Sequence, residues 1–141
     1  HGDMRAKRRN LTNLIFLQVD AIQFLKEVVP DNSVAGFHMY CPDPWNKRRH
    51  MKRRMINTEF LTLIANKTLV DSSFIITTDR ADYFEEITEA IKTVTDLWIC
   101  KHSQTLTNEL KTEAVLTNFE IKYLEEGRDV FFLELIRRKR L

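Results

Sequence analysis

The chain has 141 residues, 43% of them hydrophobic and 30% charged. That is one domain's worth of chain with enough apolar residues for a core, so residues 1–141 read as a single unit. No apolar run approaches the ~20 residues that a membrane-spanning helix needs. No apolar stretch with a cleavage site follows the basic N-terminus, so a secretory leader is not indicated. Two cysteines, Cys41 and Cys100, in no metal-binding or redox spacing, fit a reducing, cytoplasmic setting. The three glycines, Gly2, Gly36 and Gly127, lie too far apart to build a glycine-rich phosphate loop within the chain.

In chain order, the opening segment is basic, with Arg5, Lys7, Arg8 and Arg9. Residues 14–19 (LIFLQV) are a short apolar run, read as a buried strand. Residues 21–29 carry Ile22, Leu25 and Val29 at helical spacing, and Pro30, Asp31, Asn32 and Ser33 are turn residues. Residues 34–40 read as a second strand running into Cys41-Pro42-Asp43-Pro44-Trp45. Asn57 is placed to cap a helix that presents Phe60, Leu61 and Ile64, with Leu69 as a further candidate for that face. Residues 72–77 read as a third strand ending in Thr78-Asp79, and residues 82–94 as an amphipathic helix with Phe84, Ile87, Ile91 and Val94 on one face. Residues 97–100 suggest a fourth strand, and 101–116 are polar and carry no clear period. A short helix over 117–126 is stopped by Gly127, and 130–136 (VFFLELI) is a last strand.

Strands alternating with helices predict an α/β fold with a largely parallel sheet of five strands and helices on both faces. In such sheets ligands bind at the carboxyl ends of the strands. Asp20, Asp43 and Asp79 follow the first three strands and are the first candidates.

Net charge is only +2, yet 14 of the 22 Lys and Arg residues fall at 5–9, 47–54 and 137–140. Local cationic patches on a near-neutral chain point to a polyanion-binding face. The central patch adjoins the most informative segment, Pro42-Asp43-Pro44-Trp45-Asn46-Lys47-Arg48-Arg49-His50-Met51-Lys52-Arg53-Arg54. Each proline pushes the preceding residue toward extended backbone, so Cys41 and Asp43 are expected to be extended, with Asp43 on a stiff ledge. A carboxylate beside the flat face of Trp45 suits a purine. Lys47, Arg48, Arg49, Lys52, Arg53 and Arg54 would supply phosphate contacts. His1, His38, His50 and His102 form no recognisable base or metal set, so no metal site is expected.

The segment CPDPWNKRRHMKRR resembles the signature of the tRNA (guanine-N7-)-methyltransferases, Phe-Pro-Asp-Pro-Trp followed by Lys, Arg and His. Asn13-Leu14 through Val19-Asp20-Ala21, then Thr78-Asp79, then Thr117-Asn118-Phe119-Glu120 with Gly127, agree with further family segments in the same order. The resemblance runs from residue 6 to the end. It implies a class I S-adenosylmethionine-dependent methyltransferase (Rossmann-like) fold with the last strand antiparallel to the rest. It also implies methyl transfer to N7 of a variable-loop guanine in tRNA. By carry-over, Asp20 and Asp43 would face the cofactor and Asp43 would be the catalytic carboxylate. Lys47, Asp79, Thr117, Asn118, Phe119 and Glu120 would bind substrate, and Arg48, Arg49, Lys52, Arg53 and Arg54 would meet RNA phosphates.

The chemistry is consistent with that set, because N7 of neutral guanine has a free lone pair and needs no base. Two family features have no counterpart here: the glycine-rich loop after the first strand and the acidic residue after the second. Met4 is the first methionine, and the chain opens at what resembles the helix before the family's third strand, the pattern of an N-terminally incomplete chain. Cys41 stands where the family has an aromatic residue, and Val70-Asp71-Ser72-Ser73 where it has a Pro-Gly-Gly turn. The chain alone is therefore expected to hold S-adenosylmethionine weakly or not at all, and to self-associate through an exposed sheet edge. A reading from another class, a non-catalytic basic RNA-binding module lacking the cofactor half, fits the same charge pattern.

Overall fold

The computed structural model describes residues 2–107 and 116–139. Its elements in chain order are α1 (Gly2–Arg8), α2 (Ala21–Glu27), β1 (Val34–Tyr40), a 3-10 helix (Arg48–Arg53), α3 (Thr58–Lys67), β2 (Thr68–Thr78), α4 (Ala81–Lys92), β3 (Trp98–Leu106), α5 (Asn118–Glu125) and β4 (Val130–Arg137). The strands form one sheet in the order β1-β2-β4-β3. β1 and β2 are parallel, and β4 is antiparallel to both β2 and β3, as the resemblance implied for the last strand.

The helix starts follow local chemistry. Asp20 caps α2 by accepting the Gln23 N–H at 2.8 Å, and Asn57 caps α3 by accepting that of Phe60 at 2.9 Å. Side chains alternate across the sheet with period two. Phe131, Leu133 and Leu135 of β4 therefore face α3 and α4, while Val130 and Phe132 face the other way. On the first side, the main core joins Leu25 of α2, Phe60, Leu61 and Ile64 of α3, Tyr83, Ile87 and Ile91 of α4, and Phe74, Ile76 and Trp98 of the strands. Trp98 is 1% exposed, and its indole N–H donates to the Leu61 carbonyl at 3.0 Å, so the polar end of the largest core side chain is satisfied. On the opposite side α5 packs, through Leu124 against Leu106 and Val130. Among the described residues the main core thus takes in three helices and the second core one, with α1 in neither.

Several expectations need correction. The first predicted strand, residues 14–19, is irregular and exposed, with Ile15 at 85% and Leu17 at 58%, so the described sheet has four strands and not five. A strand exists only through hydrogen bonds to a neighbour, and none of the described strands pairs with this run. The third predicted strand starts four residues earlier, at Thr68, because Thr68 pairs with Val34, and Leu69 is therefore an exposed strand residue and not part of the α3 face. The fourth runs on through Lys101–Thr105 to Leu106. As an edge strand it keeps exposed positions, so tertiary pairing to β4 outweighs its polar composition. Residues 108–115, part of the stretch that carried no clear period, lie outside the described residues. Arg137, counted in the C-terminal basic cluster, is buried and donates to the Ala65 and Leu97 carbonyls at 2.7 and 3.2 Å. Among the described residues no helix is long and apolar enough to cross a membrane.

Candidate functional site

Adjacent parallel strands deliver the site. β1 and β2 are in register to Tyr40↔Thr77, and the Cys41 N–H continues the ladder to the Thr77 carbonyl at 2.9 Å. Past this point both chains leave the sheet at their carboxyl ends. Cys41 and Trp45 both take left-handed backbone, at φ 46° each, and bracket Pro42-Asp43-Pro44. Cys41 was expected to be extended. A following proline excludes mainly the right-handed helical region, so a left-handed turn remains open to it, at a cost of about 1 kcal/mol per residue.

The basic stretch forms a 3-10 helix, in which residues three apart eclipse one another. Arg54 follows the last turn as its C-cap, at φ −58° and ψ 127°, and turns inward. It is 5% exposed, and its Nε donates to the Pro44 carbonyl at 2.8 Å. Nη2 lies 2.5 Å from Asp82, Nη1 lies 2.8 Å from Glu86, and the guanidinium stands over the Tyr83 ring at 4.8 Å. Burial works against its charge, but the Asp82 and Glu86 carboxylates outweigh that and leave its pKa above the ordinary value. Reciprocally, the hydrogen bond from Arg54, aided by Arg80, holds the Asp82 carboxyl below the usual range against the opposing effect of burial. Arg54 is thus a brace between the Asp43 ledge and α4, which corrects its expected phosphate role. Lys47, Arg48, Arg49, Lys52 and Arg53 do stay exposed. Arg53 also lies over Trp45 at 5.1 Å, with His50 edge-on to the same ring at 5.9 Å.

A cleft of about 320 Å³ is lined by Tyr40, Cys41, Asp43, Pro44, Asn46, Asp79, Arg80, Phe119, Tyr123 and Arg128. It brings together three of the predicted residues, Asp43, Asp79 and Phe119. Asp43 is exposed, and no cation or hydrogen-bond donor engages its carboxylate among the described residues. Asp79 is nearly buried and ion-paired to Arg128. Phe119 is 63% exposed and inclined to Tyr123, with centroids 6.4 Å apart.

The other predicted residues do not line this cleft. Thr117 and Glu120 form a capping box. The Thr117 hydroxyl accepts the Glu120 N–H at 3.3 Å, and the Glu120 carboxylate accepts the Thr117 N–H at 2.5 Å. Glu120 is 2% exposed, so its side chain is committed to starting α5. Its charge still reaches the cleft. Burial pushes the Tyr40 phenol up, and Glu120 adds to the effect. Burial also raises the Cys41 thiol, opposed by its Thr77 hydrogen bond and by Arg128 and reinforced by Glu120. The Tyr123 phenol rises for the same first reason. Both phenols and the thiol therefore stay protonated near neutral pH, and the charge in the cleft is carried by carboxylates and guanidinium groups. Asp20 is exposed at the start of α2 and outside this cleft, while Lys47 and Asn118 are exposed beside it.

Tyr40, Asn46, Arg80, Tyr123 and Arg128 were missed by the sequence reading. Gly127 held the usable signal for the last two. A glycine stop brings the next residue back against the helix's last turn. Here Gly127 has φ 75°, its N–H meets the Leu124 carbonyl at 3.1 Å, and the Arg128 N–H meets that of Tyr123 at 2.9 Å. Among the described residues no group of His, Cys, Asp and Glu is arranged to hold a metal ion, so the residues present do not form a metal centre.

Two parallel strands with their ligand-facing loops side by side, followed by an antiparallel last strand inserted beside them, define the class. Solved structures agree on the fold. That of geranyl diphosphate methyltransferase in complex with SAM superposes with a TM-score of 0.58 at 13% identity, covering 96% of this chain and 63% of that one. A putative methyltransferase from Thermoplasma acidophilum gives 0.51 at 13% identity, over 99% and 56%. The fold is thus that of the class I S-adenosylmethionine-dependent methyltransferases. Residues 3–133 match the family model described as putative methyltransferase, and the chain belongs to that family. Similar curated relatives are the tRNA (guanine-N(7)-)-methyltransferases of Wolbachia pipientis wMel and Alkalilimnicola ehrlichii. The first is 38% identical over 90% of this chain and 54% of the relative, the second 33% over 99% and 57%. The chain spans about half the length of these relatives.

Proposed function

We propose that this chain forms the base-binding part of a tRNA (guanine-N7-)-methyltransferase, which moves a methyl group from S-adenosylmethionine to N7 of a variable-loop guanine. The observation that carries the reading is Asp43. It is an unpaired carboxylate on a braced ledge, in a cleft shared with Asp79 and Phe119 and flanked by exposed cations. Phe119 offers a face on which an extruded base can stack. Asp79 accepts N–H donors on the edge of the purine and fixes its orientation. No side chain has to remove a proton, because N7 presents its lone pair directly. Asp43 then faces the positive charge that develops on the ring, stabilising the transition state more than the ground state. Thr117 and Glu120 act by holding α5, and with it Phe119, at the cleft.

The residues present fit the methyl donor in part. A sulfonium-bearing group calls for a nearby free carboxylate, which Asp43 supplies. Asp20 gives only Oδ1 to the α2 cap. When bound, the donor supplies an electrophilic methyl group. None of Gly2, Gly36 or Gly127 lines the cleft, so no close-approach backbone cradle comes from this segment. We accordingly propose that the chain alone holds S-adenosylmethionine weakly. The exposed cations of the 3-10 helix are proposed to dock tRNA phosphates. The outer edge of β1, unpaired among the described strands, together with the exposed 14–19 run, supports self-association.

The test is to measure N7 methylation of tRNA guanine and tRNA affinity on the same Asp43→Asn variant of the full-length protein. We expect methyl transfer to fall by about 100-fold or more, with RNA affinity unchanged or raised because a negative charge is removed. Loss of affinity in step with activity would make Asp43 a brace for the basic turn and would overturn the assignment. Wild-type protein that binds tRNA and transfers no methyl group would favour the non-catalytic RNA-binding reading.

A further inference from the structure

The cleft holds two carboxylates in different states, and one arginine makes the difference. Asp79, its side chain 9% exposed, is met by the Arg128 Nη2, whereas Asp43 meets no cation among the described residues. Arg128 is aimed by its place in the chain. Gly127 in left-handed backbone turns the strand-bound chain back over the end of α5, and the Arg128 N–H is fixed on the Tyr123 carbonyl. Its guanidinium then lies over the Tyr123 ring at 4.1 Å, with Nη1 3.5 Å from Glu126. An arginine stacked on an aromatic ring is pre-organised, so little rotational freedom is lost in reaching a carboxylate.

We propose that Arg128 is a positioning residue for methyl transfer, which holds Asp79 ionised and in one orientation against the wall built by Tyr123. The inference rests on the function proposed above. Arg128 takes up Oδ2 of Asp79 and leaves Oδ1 to accept from the N–H edge of the purine. Because this pair is close to neutral and Arg80, the other cation of the lining, is paired with Asp82 at 3.0 Å, the carboxylate left without a cation in the cleft is Asp43, on the ledge where the developing positive charge needs it. Without Arg128, Asp79 would be free to rotate and would compete for that positive charge from the wrong side.

The experiment uses the full-length protein and two variants, Arg128→Ala and Arg128→Lys. Arg128 is about two-fifths exposed and outside both cores, so both variants should fold. The readouts are the Asp79 carboxyl titration by carbon-13 NMR and kcat/KM for tRNA methylation across pH. Removing a paired cation raises a carboxylate's pKa by roughly one unit or more. In Arg128→Ala we expect the Asp79 midpoint and the acid limb of kcat/KM to rise together by that amount. We also expect kcat/KM to drop at least tenfold at neutral pH, with part of the loss recovered in Arg128→Lys. An unchanged Asp79 midpoint, or a shifted midpoint with full activity, overturns the inference while the proposed function stands. A wild-type protein without methyl transfer overturns the proposed function, and the role of Arg128 in it with it.

Discussion

Arg54 shows how two cations six residues apart on one basic stretch come to do different work. Arg48 is exposed, while Arg54 is buried against Pro44, Asp82, Glu86 and Tyr83. Replacing Arg48, Arg49 and Lys52 with alanine should leave stability within about 0.5 kcal/mol of wild type and weaken binding to any RNA alike. If about four cations meet phosphates, log K for wild type should fall against log salt with a slope of roughly −3 to −4, and this triple variant should flatten it. Arg54→Ala should instead cost about 2 kcal/mol of stability, from lost packing and an unsatisfied ledge carbonyl. Urea unfolding and a tRNA salt titration on both proteins check the contrast. The same brace gives a pH dependence. The Asp82 carboxyl is held below its unfolded value, so its stabilising contribution is complete above the unfolded pKa, near 3.9. It fades as pH falls through the folded value. Urea midpoints should therefore decline below about pH 4 in wild type, and less steeply in Asp82→Asn.

At the scale of elements, the legible parts were those where a residue near the boundary dictates local chemistry. Asn57 starting α3 and Gly127 ending α5 were read from a few consecutive residues, whereas Asp20 and Thr117 with Glu120 were read only as ligand-binding residues and turn out to start α2 and α5. The illegible parts were those decided across the sheet. Lys101–Thr105 are strand because β4 offers them a ladder, and Leu14–Val19 are not strand because no described element does. The cleft divides in the same way. Asp43 could be read from its flanking prolines, and Asp79 from its position after a strand. Tyr40 and Arg128 enter it from separate elements that only the fold brings together, and the inward turn of Arg54 depends on carboxylates of α4 that a run of cations does not announce.

Over the whole molecule the two faces of the sheet are unlike. Three helices bury one, while the other carries α5 at one end and leaves Tyr40 and Ile99 more than two-fifths exposed. The Leu14–Val19 run, whose Leu17 and Val19 share a pocket with β1, adds Ile15 and Phe16 to the apolar surface. The sheet's open edge and this run together predict concentration-dependent association of the isolated chain. Sedimentation velocity should show the associated fraction falling in Ile15→Glu with Phe16→Glu, while far-ultraviolet circular dichroism stays unchanged, since neither side chain belongs to either core. A chain that is monomeric at all concentrations would refute it.

The parallel register of β1 and β2 has a consequence for how such a site fails. The ledge of Asp43 and the strand end before Asp79 leave the sheet one residue past the matched pair Tyr40↔Thr77. The two strand ends that carry them are therefore held at the strand spacing of ~4.8 Å, a constant of the backbone, and Arg54 and Arg128 fix the carboxylates from there. Such a ruler does not stretch by degrees. Its hydrogen bonds are kept or lost with the sheet as a unit, and β2 lies inside that sheet, between β1 and β4. Warming or mild denaturant should leave the two carboxylates at working distance up to the unfolding transition and then abolish the site all at once, like a latch rather than a spring.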